Sequence, residues 1–314
     1  MAMIRRPQAP VRALPAPPAR RLGPHLGRYT GLLYVAPATL LLLLITIVPL
    51  VYLLYNSLTS WDLRRAYLGK EFIGLENYRA MVADVQFRAA IGVTLLLATG
   101  AVVVELVLGL LLALLFNREF PGKRVMRSLF LLPLITTSIV VGLTWRMLFN
   151  TDLGMINYVL RTLHLPQPLW LADPHLALLS IVLTDTWHVT PFVTLMFVAG
   201  LQSLSNEPYD AARVDGASTW QQFRFITLPL LRPLIFLAMI FQVTDAIRMF
   251  DLIFVMTAGG PANATQTLNM YAYKVGFSFL NMGYGSALAV VLMLVCIGIS
   301  FILVRYSGLE LEAR

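Results

Sequence analysis

Charge is scarce in this chain. Only 13% of its 314 residues are Asp, Glu, Lys or Arg, about half the share of a soluble domain. Lysine is nearly missing: Lys70, Lys123 and Lys274 are the only three among 24 basic residues, a bias that points to a GC-rich genome and says nothing about mechanism. Cys296 is the single cysteine, which excludes an intrachain disulfide and a thiolate metal cluster. A phosphate-binding Gly-x-x-x-x-Gly-Lys-Ser/Thr loop is absent as well. Gly122-Lys123 is followed by Arg124, and position 117 is Asn117 where glycine would be needed. The standard ATP cradle is therefore excluded. The net charge of +8 is dispersed over loops between apolar runs. That distribution argues against a nucleic-acid partner and for membrane topology and attraction to a lipid surface.

What is abundant is apolar sequence, 58% of the residues, with a mean hydropathy of +0.74. Residues 1–30 hold six arginines, six prolines and no acid, a composition that cannot bury a core and predicts a disordered cytoplasmic tail. The run from Gly31 to Leu58 is too long for the apolar region of a signal peptide and reads as an uncleaved first span. Five more spans are predicted at 89–116, 125–149, 176–201, 233–258 and 283–305, leaving 307–314 as a C-terminal tail. With six spans and the N-terminus inside, inner segments hold 15 basic residues and outer segments seven, the direction of the positive-inside rule. The outer segment 59–88 carries Trp61, Phe72-Ile-Gly-Leu75 and Asn77-Tyr78, which suits a small packed cap. Another outer segment opens on the turn signal Thr257-Ala-Gly-Gly-Pro261.

Residues 206–229 are more than a connection. Ser205 or Asn206 can cap a helix, Pro208 suits its first turn, and Glu207 and Asp210 lie near its positive end. Asp215-Gly216 predicts a stop, and Ser218 with Gln221 matches a capping box that opens a second short helix. Pro229 and Pro233 then punctuate the return to the membrane. From these residues alone, a hairpin docking on another protein and an amphipathic hairpin resting on lipid are equally consistent.

Ionisable residues inside spans cost about 2.5–3.5 kcal/mol each on insertion and usually face a bundle interior or a wet cavity. Asp245, Arg248 and Asp251 are spaced i, i+3, i+6, so they predict one helix face, either as an ion-pair ladder bracing helices or as a polar stripe along a solute path. Asp185, Trp187, His188 and Phe192 offer an acid, an imidazole and aromatics that suit a sugar, with ordinary helix packing as the alternative. Glu105 reads as a buried packing residue, Arg146 as a membrane-edge anchor, and Cys296 as packing.

The polar interruption resembles the EAA loop of bacterial ABC-importer permeases. Asp210-Ala211-Ala212, three residues, Gly216, nine residues, Ile226, one residue and Leu228-Pro229 reproduce its spacing. Asp210 replaces the commoner glutamate, and Glu207 stands one turn earlier. Phe72-Ile-Gly-Leu-Glu-Asn-Tyr78, Asp185-Thr-Trp187 with Pro191, and Phe250-Asp251 leading to Thr257-Ala-Gly-Gly-Pro261 are similar to the maltose-type, carbohydrate-uptake branch. Together these stretches cover about residues 31–306.

The resemblance implies an all-α membrane protein: a type I importer permease with six transmembrane helices and a cytoplasmic coupling loop. Glu207, Asp210, Ala211, Ala212, Asp215, Gly216, Ile226, Leu228 and Pro229 would enter a groove on a partner ATPase dimer, which would bind ATP and Mg; this chain would bind no cofactor. Asp185 and Phe192 fall on one group of solute-contact positions, and Asp245, Ala246 and Met249 on another, with His188, Arg248 and Asp251 beside them. The implied partners are a second, distinct permease, an extracytoplasmic sugar-binding protein, a di- or oligosaccharide such as trehalose or maltose, and the lipid bilayer. The implied location is a bacterial cytoplasmic membrane with both termini inside. The rival readings are an importer of another solute such as glycerol phosphate, a proton-coupled secondary transporter, and a membrane scaffold or sensor.

Overall fold

The computed structural model describes residues 24–307; the bulk of the expected 1–30 tail and nearly all of 307–314 lie outside the described residues. Fourteen α-helical segments follow in order among the described residues. They are α1 (Pro24–Ser57), α2 (Glu76–Ala83), α3 (Val85–Asn117), α4 (Lys123–Phe130), α5 (Leu132–Ile135), α6 (Ser138–Leu148) and α7 (Met155–Thr162). After them come α8 (Pro174–Ser203), α9 (Glu207–Val214), α10 (Thr219–Gln222), α11 (Leu228–Ile247), α12 (Asp251–Met256), α13 (Leu268–Tyr273) and α14 (Met282–Ser307). A 3₁₀ turn covers Leu63–Leu68, and π turns cover Phe223–Thr227 and Lys274–Ser278. The chain divides at Val51/Tyr52 into two units. The first unit's described part is helical and apolar, and it starts at Pro24, ahead of the expected Gly31, because proline is well tolerated in a first turn.

Among the described residues, five helices are long and apolar enough to cross a membrane: Tyr34–Ser57, Val85–Asn117, Pro174–Ser203, Thr219–Ile247 and Met282–Tyr306. With no water in the hydrocarbon to satisfy a backbone, helices are the form this composition dictates. The expected third span, 125–149, is not one straight helix. Lys123–Ile135 and Ser138–Leu148 meet at 101°, because Thr136 and Thr137 are extended, with ψ of 140° and 146°. Two adjacent β-branched threonines following Pro133 favour that conformation over the helix.

The fifth expected span, 233–258, also shifts. The helix that opens at Thr219 is not short; it runs through Pro229 and Pro233 and stops at Ile247. In the π turn, Leu228 N–H bonds the Phe223 carbonyl, so the ladder is already widened where Pro229 has no N–H to give. Arg248 closes the helix (φ −90°, ψ 0°), and α12 starts anew at Asp251.

In the second unit α3 packs along α8, and α11 packs against α3, α8 and α14. Close approach depends on glycine at Gly109, where a Cβ would meet Val193 Cγ1 at 2.6 Å, and at Gly200, where it would overlap Leu234. The 59–88 segment is packed, as expected, through Trp61, Asn77 and Tyr78, joined by Lys70. Asn77 Nδ2 donates to the Ser57 and Thr59 carbonyls at 2.8 and 2.9 Å, Tyr78 bonds Ser57, and Lys70 lies over the Tyr55 and Trp61 rings at 4.6 Å. Phe72 and Leu75 stay exposed.

Asp84 gathers three helices. It caps α3 by accepting from Gln86 N–H at 2.8 Å, and its Oδ2 accepts from Tyr271 on α13 and Tyr284 on α14, each at 2.6 Å. Burial pushes this carboxyl up, but the two hydroxyls and the Phe87 and Gln86 N–H groups outweigh it and leave the pKa below the usual value. A folded pKa below the unfolded one means the contribution is complete above the unfolded pKa and is lost as pH falls through the folded one. Asp84→Ala is expected to cost about 2 kcal/mol at neutral pH, toward the low end for charge-assisted bonds at a half-exposed site. Thermal unfolding of the detergent-purified protein checks this: the wild-type advantage should be present at pH 7 and fade below about pH 4.

Candidate functional site

Two places bring the singled-out residues together. The first is the hairpin of α9 and α10. Pro208 sits in the first turn of α9, with Glu207 and Asp210 beside it at the positive helix end. Asn206 precedes the helix without a side-chain cap, so the expected capping at Ser205 or Asn206 does not occur. The end of α9 is tightly specified. Gly216 takes φ +77°, its N–H bonds the Arg213 carbonyl at 3.2 Å, and Ala217 N–H bonds Ala212 at 2.9 Å. That pair of bonds is a Schellman motif, in which glycine adopts the left-handed conformation without a Cβ penalty.

Immediately after it the expected capping box is complete. Gln221 N–H donates to Ser218 Oγ at 3.3 Å, and Ser218 N–H donates to Gln221 Oε1 at 2.7 Å. Tyr209 and Thr227 hydroxyls bond at 3.0 Å, tying α9 to the π turn, and Asp210 pairs with Arg213. Asp210, Ala211, Asp215 and Gly216 are exposed and Ala212 is half-buried. Ile226, Leu228 and Pro229 are elsewhere: they lie in the π turn and the start of α11, on the helix that carries the hairpin. Val214, Trp220 and Phe225 are 88%, 66% and 69% exposed, so the hairpin presents apolar side chains that its own chain leaves uncovered.

The second place is a pair of adjoining cavities of about 290 and 540 Å³ that share Ser138, His188, Val189, Asp245 and Arg248. Asp185, Met249 and Asp251 line the first and Phe192 the second. Ala246 departs from expectation. It lies 5% exposed in the core with Ala98, Ile247 and Leu288, because it is on the face of α11 turned from the cavities. Trp187 packs edge-on to Trp145 at 5.7 Å, and it is not among the residues lining either cavity.

The ladder of Asp245, Arg248 and Asp251 does not form either. The helix ends at Ile247, before Arg248, and Asp251 opens the next one, and among the described residues no ion pair joins the three. Arg248 Nε instead donates to the Thr244 carbonyl at 3.1 Å, and its carbonyl accepts from Asn269 at 2.8 Å. The rest of the guanidinium fork is left for the cavity.

Two features escaped the sequence reading. His188 Nε2 donates to the Thr136 carbonyl at 3.0 Å, at the break between α5 and α6; in the neutral ring this leaves Nδ1 as an acceptor. Thr136, Thr137 and Ser138 line the larger cavity, and α6 begins there with no side-chain cap, so its first N–H groups are open to a ligand. The legible signal was Thr-Thr-Ser after a proline inside an apolar run. Glu105 is buried, as expected, and its partners were the part not legible. It is 1% exposed, accepts from Gln242 Nε2 at 2.7 Å, and lies within hydrogen-bond reach of the Asp185 carboxyl. It thus joins α3 to α11 directly behind Asp185, with which it interacts. Gln242, one turn before Asp245, was a lone amide in an apolar run. Chemically, the cavities offer carboxylate acceptors, guanidinium and backbone N–H donors, and the Phe192 and Phe250 rings.

Residues 105–308 match the family described as "Binding-protein-dependent transport system inner membrane component". The "Sulfoquinovosyl glycerol transport system permease protein SmoG" of Agrobacterium fabrum is 40% identical over 278 residues, 88% of this chain and 90% of that protein. The "Trehalose/maltose transport system permease protein MalF" of Thermococcus litoralis is 37% identical over 236 residues, 75% of this chain and 79% of that one. In fold, the chain is similar to one from a bacterial ABC transporter involved in the import of the acidic polysaccharide alginate. The TM-score is 0.78 and the identity 20%, over 90% of this chain and 96% of that one. With two thirds of its length matched by the family and the same helical fold around a polar cavity, this chain belongs to the binding-protein-dependent inner-membrane components and is an ABC-importer permease.

Proposed function

We propose that this chain forms half of the pathway of an ATP-driven sugar importer. An extracytoplasmic binding protein delivers a di- or oligosaccharide such as trehalose or maltose to the outer segments. A second, distinct permease completes the pathway. An ATPase dimer holding ATP and Mg receives the Glu207–Gly216 hairpin in a groove, and N- and C-termini both lie on that cytoplasmic side. The observation that carries the proposal is the cavity pair, in which His188, Asp245 and Arg248 line both cavities, Asp185 the first and Phe192 the second. Sugars present hydroxyl edges to such carboxylates and guanidinium groups, and apolar C–H faces to such rings. Relatives named for trehalose/maltose and for sulfoquinovosyl glycerol support a glycosidic solute.

A second reading has one observation in its favour. Arg248 has no ion-pair partner among the described residues, so a negatively charged solute such as glycerol phosphate or a sulfo-sugar could meet it there. Uptake of a solute panel by the reconstituted complete importer decides between the two. Neutral disaccharides should be transported in the first case, and anionic solutes alone in the second.

Asp185→Asn and Asp245→Asn should raise the solute concentration for half-maximal uptake by about tenfold or more, the loss expected of a charge-assisted hydrogen bond, while the ATPase copurifies normally. Unchanged uptake and selectivity in both would leave these residues as packing only. Gly216→Trp should insert and purify but lose ATP-driven uptake, because a side chain at φ +77° breaks the Schellman turn. Normal uptake in that variant would count against the docking role of the hairpin.

A further inference from the structure

The segment from Arg118 to Phe130 takes no part in either site. On α4, with 100° per residue, Lys123, Arg127, Arg124 and Ser128 fall on one contiguous arc, and Val125, Leu129, Met126 and Phe130 on the other. The apolar arc is attached at one end only. Phe130 packs on Phe116 of α3 with ring centroids 5.3 Å apart, while Val125 and Leu129 are 65% and 61% exposed. Exposed apolar residues beside membrane spans require a lipid medium, and a basic arc on the same helix requires headgroups or water. One boundary supplies both.

The basic arc borders a cavity of about 600 Å³ lined by Glu119, Phe120, Gly122, Lys123, Arg124 and Arg127, with Val125 at its boundary with the apolar arc. Lys123 is spoken for, bonding Glu119 at 2.7 Å. Arg124 and Arg127 have no acid within ion-pair distance among the described residues. The turn before the helix is open as well: Gly122 at φ +82° contributes no side-chain cap.

We propose that this cavity is a binding site for the phosphate headgroup of an anionic phospholipid. The Arg124 and Arg127 guanidinium groups hold the phosphate, and Val125 and Leu129 lie against its acyl chains. A phosphate diester presents oxygens that the planar guanidinium fork matches. Continuity of the basic arc with an uncovered apolar arc selects a lipid over a soluble anion. The site does not depend on which solute the permease carries.

The test uses the full-length chain with its partner subunits, reconstituted in nanodiscs of mixed phosphatidylcholine and phosphatidylglycerol. Spin-labelled lipids of each kind report the preference. Arg124→Gln with Arg127→Gln should reduce the preference for phosphatidylglycerol on the order of thirtyfold, at about fivefold per basic residue near a membrane surface. Arg161→Gln should not change it. Leu129→Trp should add fluorescence quenched by lipids brominated in the acyl chain, read as the difference from the natural chain with its five tryptophans, a readout that survives if the double variant fails to fold. An unaltered preference in the double variant, or no quenching at residue 129, overturns the proposal. Displacement of the spin-labelled phosphatidylglycerol by inorganic phosphate would reassign the cavity to a soluble anion. Loss of ATPase copurification with an unchanged lipid preference would reassign it to a protein contact.

Discussion

Backbone satisfaction in hydrocarbon governs this molecule. A peptide group without a partner costs several kcal/mol where there is no water, so irregular backbone at membrane depth persists only beside a cavity or inside protein. The departures from helix in the second unit obey that rule. At the α5–α6 break the Thr136 carbonyl is taken by His188. At the α11–α12 break the Arg248 carbonyl is taken by Asn269 and the Arg248 Nε by Thr244. Both breaks face the same pair of cavities. Polar side chains and broken helices are thus linked: at the first break His188, and at the second Arg248, bonds a main-chain carbonyl and also lines the cavities.

The same constraint explains how far the sequence could be read. Long apolar runs left helices as the only outcome, so four of the six expected spans match closely. The hairpin was legible residue by residue, since Pro208, Gly216, Ser218 and Gln221 act through local rules that tertiary packing did not override. What failed were inferences that needed a helix to be continuous, or discontinuous, at a given residue. Periodicity placed Asp245, Arg248 and Asp251 on one face, but the helix ends at Ile247, and a face has no meaning across an end. Conversely, Pro229 and Pro233 suggested a stop, and the π turn at Phe223–Thr227 carries the helix through.

Glu105 illustrates a different blind spot. Alone in Val102-Val-Val-Glu-Leu-Val-Leu108, it offers no local partner from which a role could be read. Its partner Gln242 is 137 residues away. A buried acid beside a second acid is an expensive group to keep in a helix bundle, and Glu105 is kept there by bonds to Gln242 and Asp185. It stands behind Asp185 and beside the helix of Asp245, so the cavity wall is braced from α3 as well as from α8 and α11. Truncating it would disturb two cavity-lining acids at once, which separates it from an ordinary packing residue.

The helix from Thr219 to Ile247 unites the two candidate sites. It begins in the capping box at Ser218, next to the glycine turn, and ends one residue before Arg248 in the cavity. At 1.5 Å per residue its 29 residues span roughly 43 Å, more than the hydrocarbon thickness. Both its ends are fixed by hydrogen bonds: the Schellman motif and capping box at one, Arg248 and Asn269 at the other. A displacement of the hairpin therefore moves Gln242 and Asp245 as one body with it. The helix is softened at the interior Pro233 and at the π turn, and at the latter Tyr209 of α9 bonds Thr227 and stiffens the joint from outside the helix. Under the proposed reading, this is how a soluble partner that never enters the bilayer can change which groups line the cavity. The bond between Tyr209 and Thr227 would set how much of the motion reaches it.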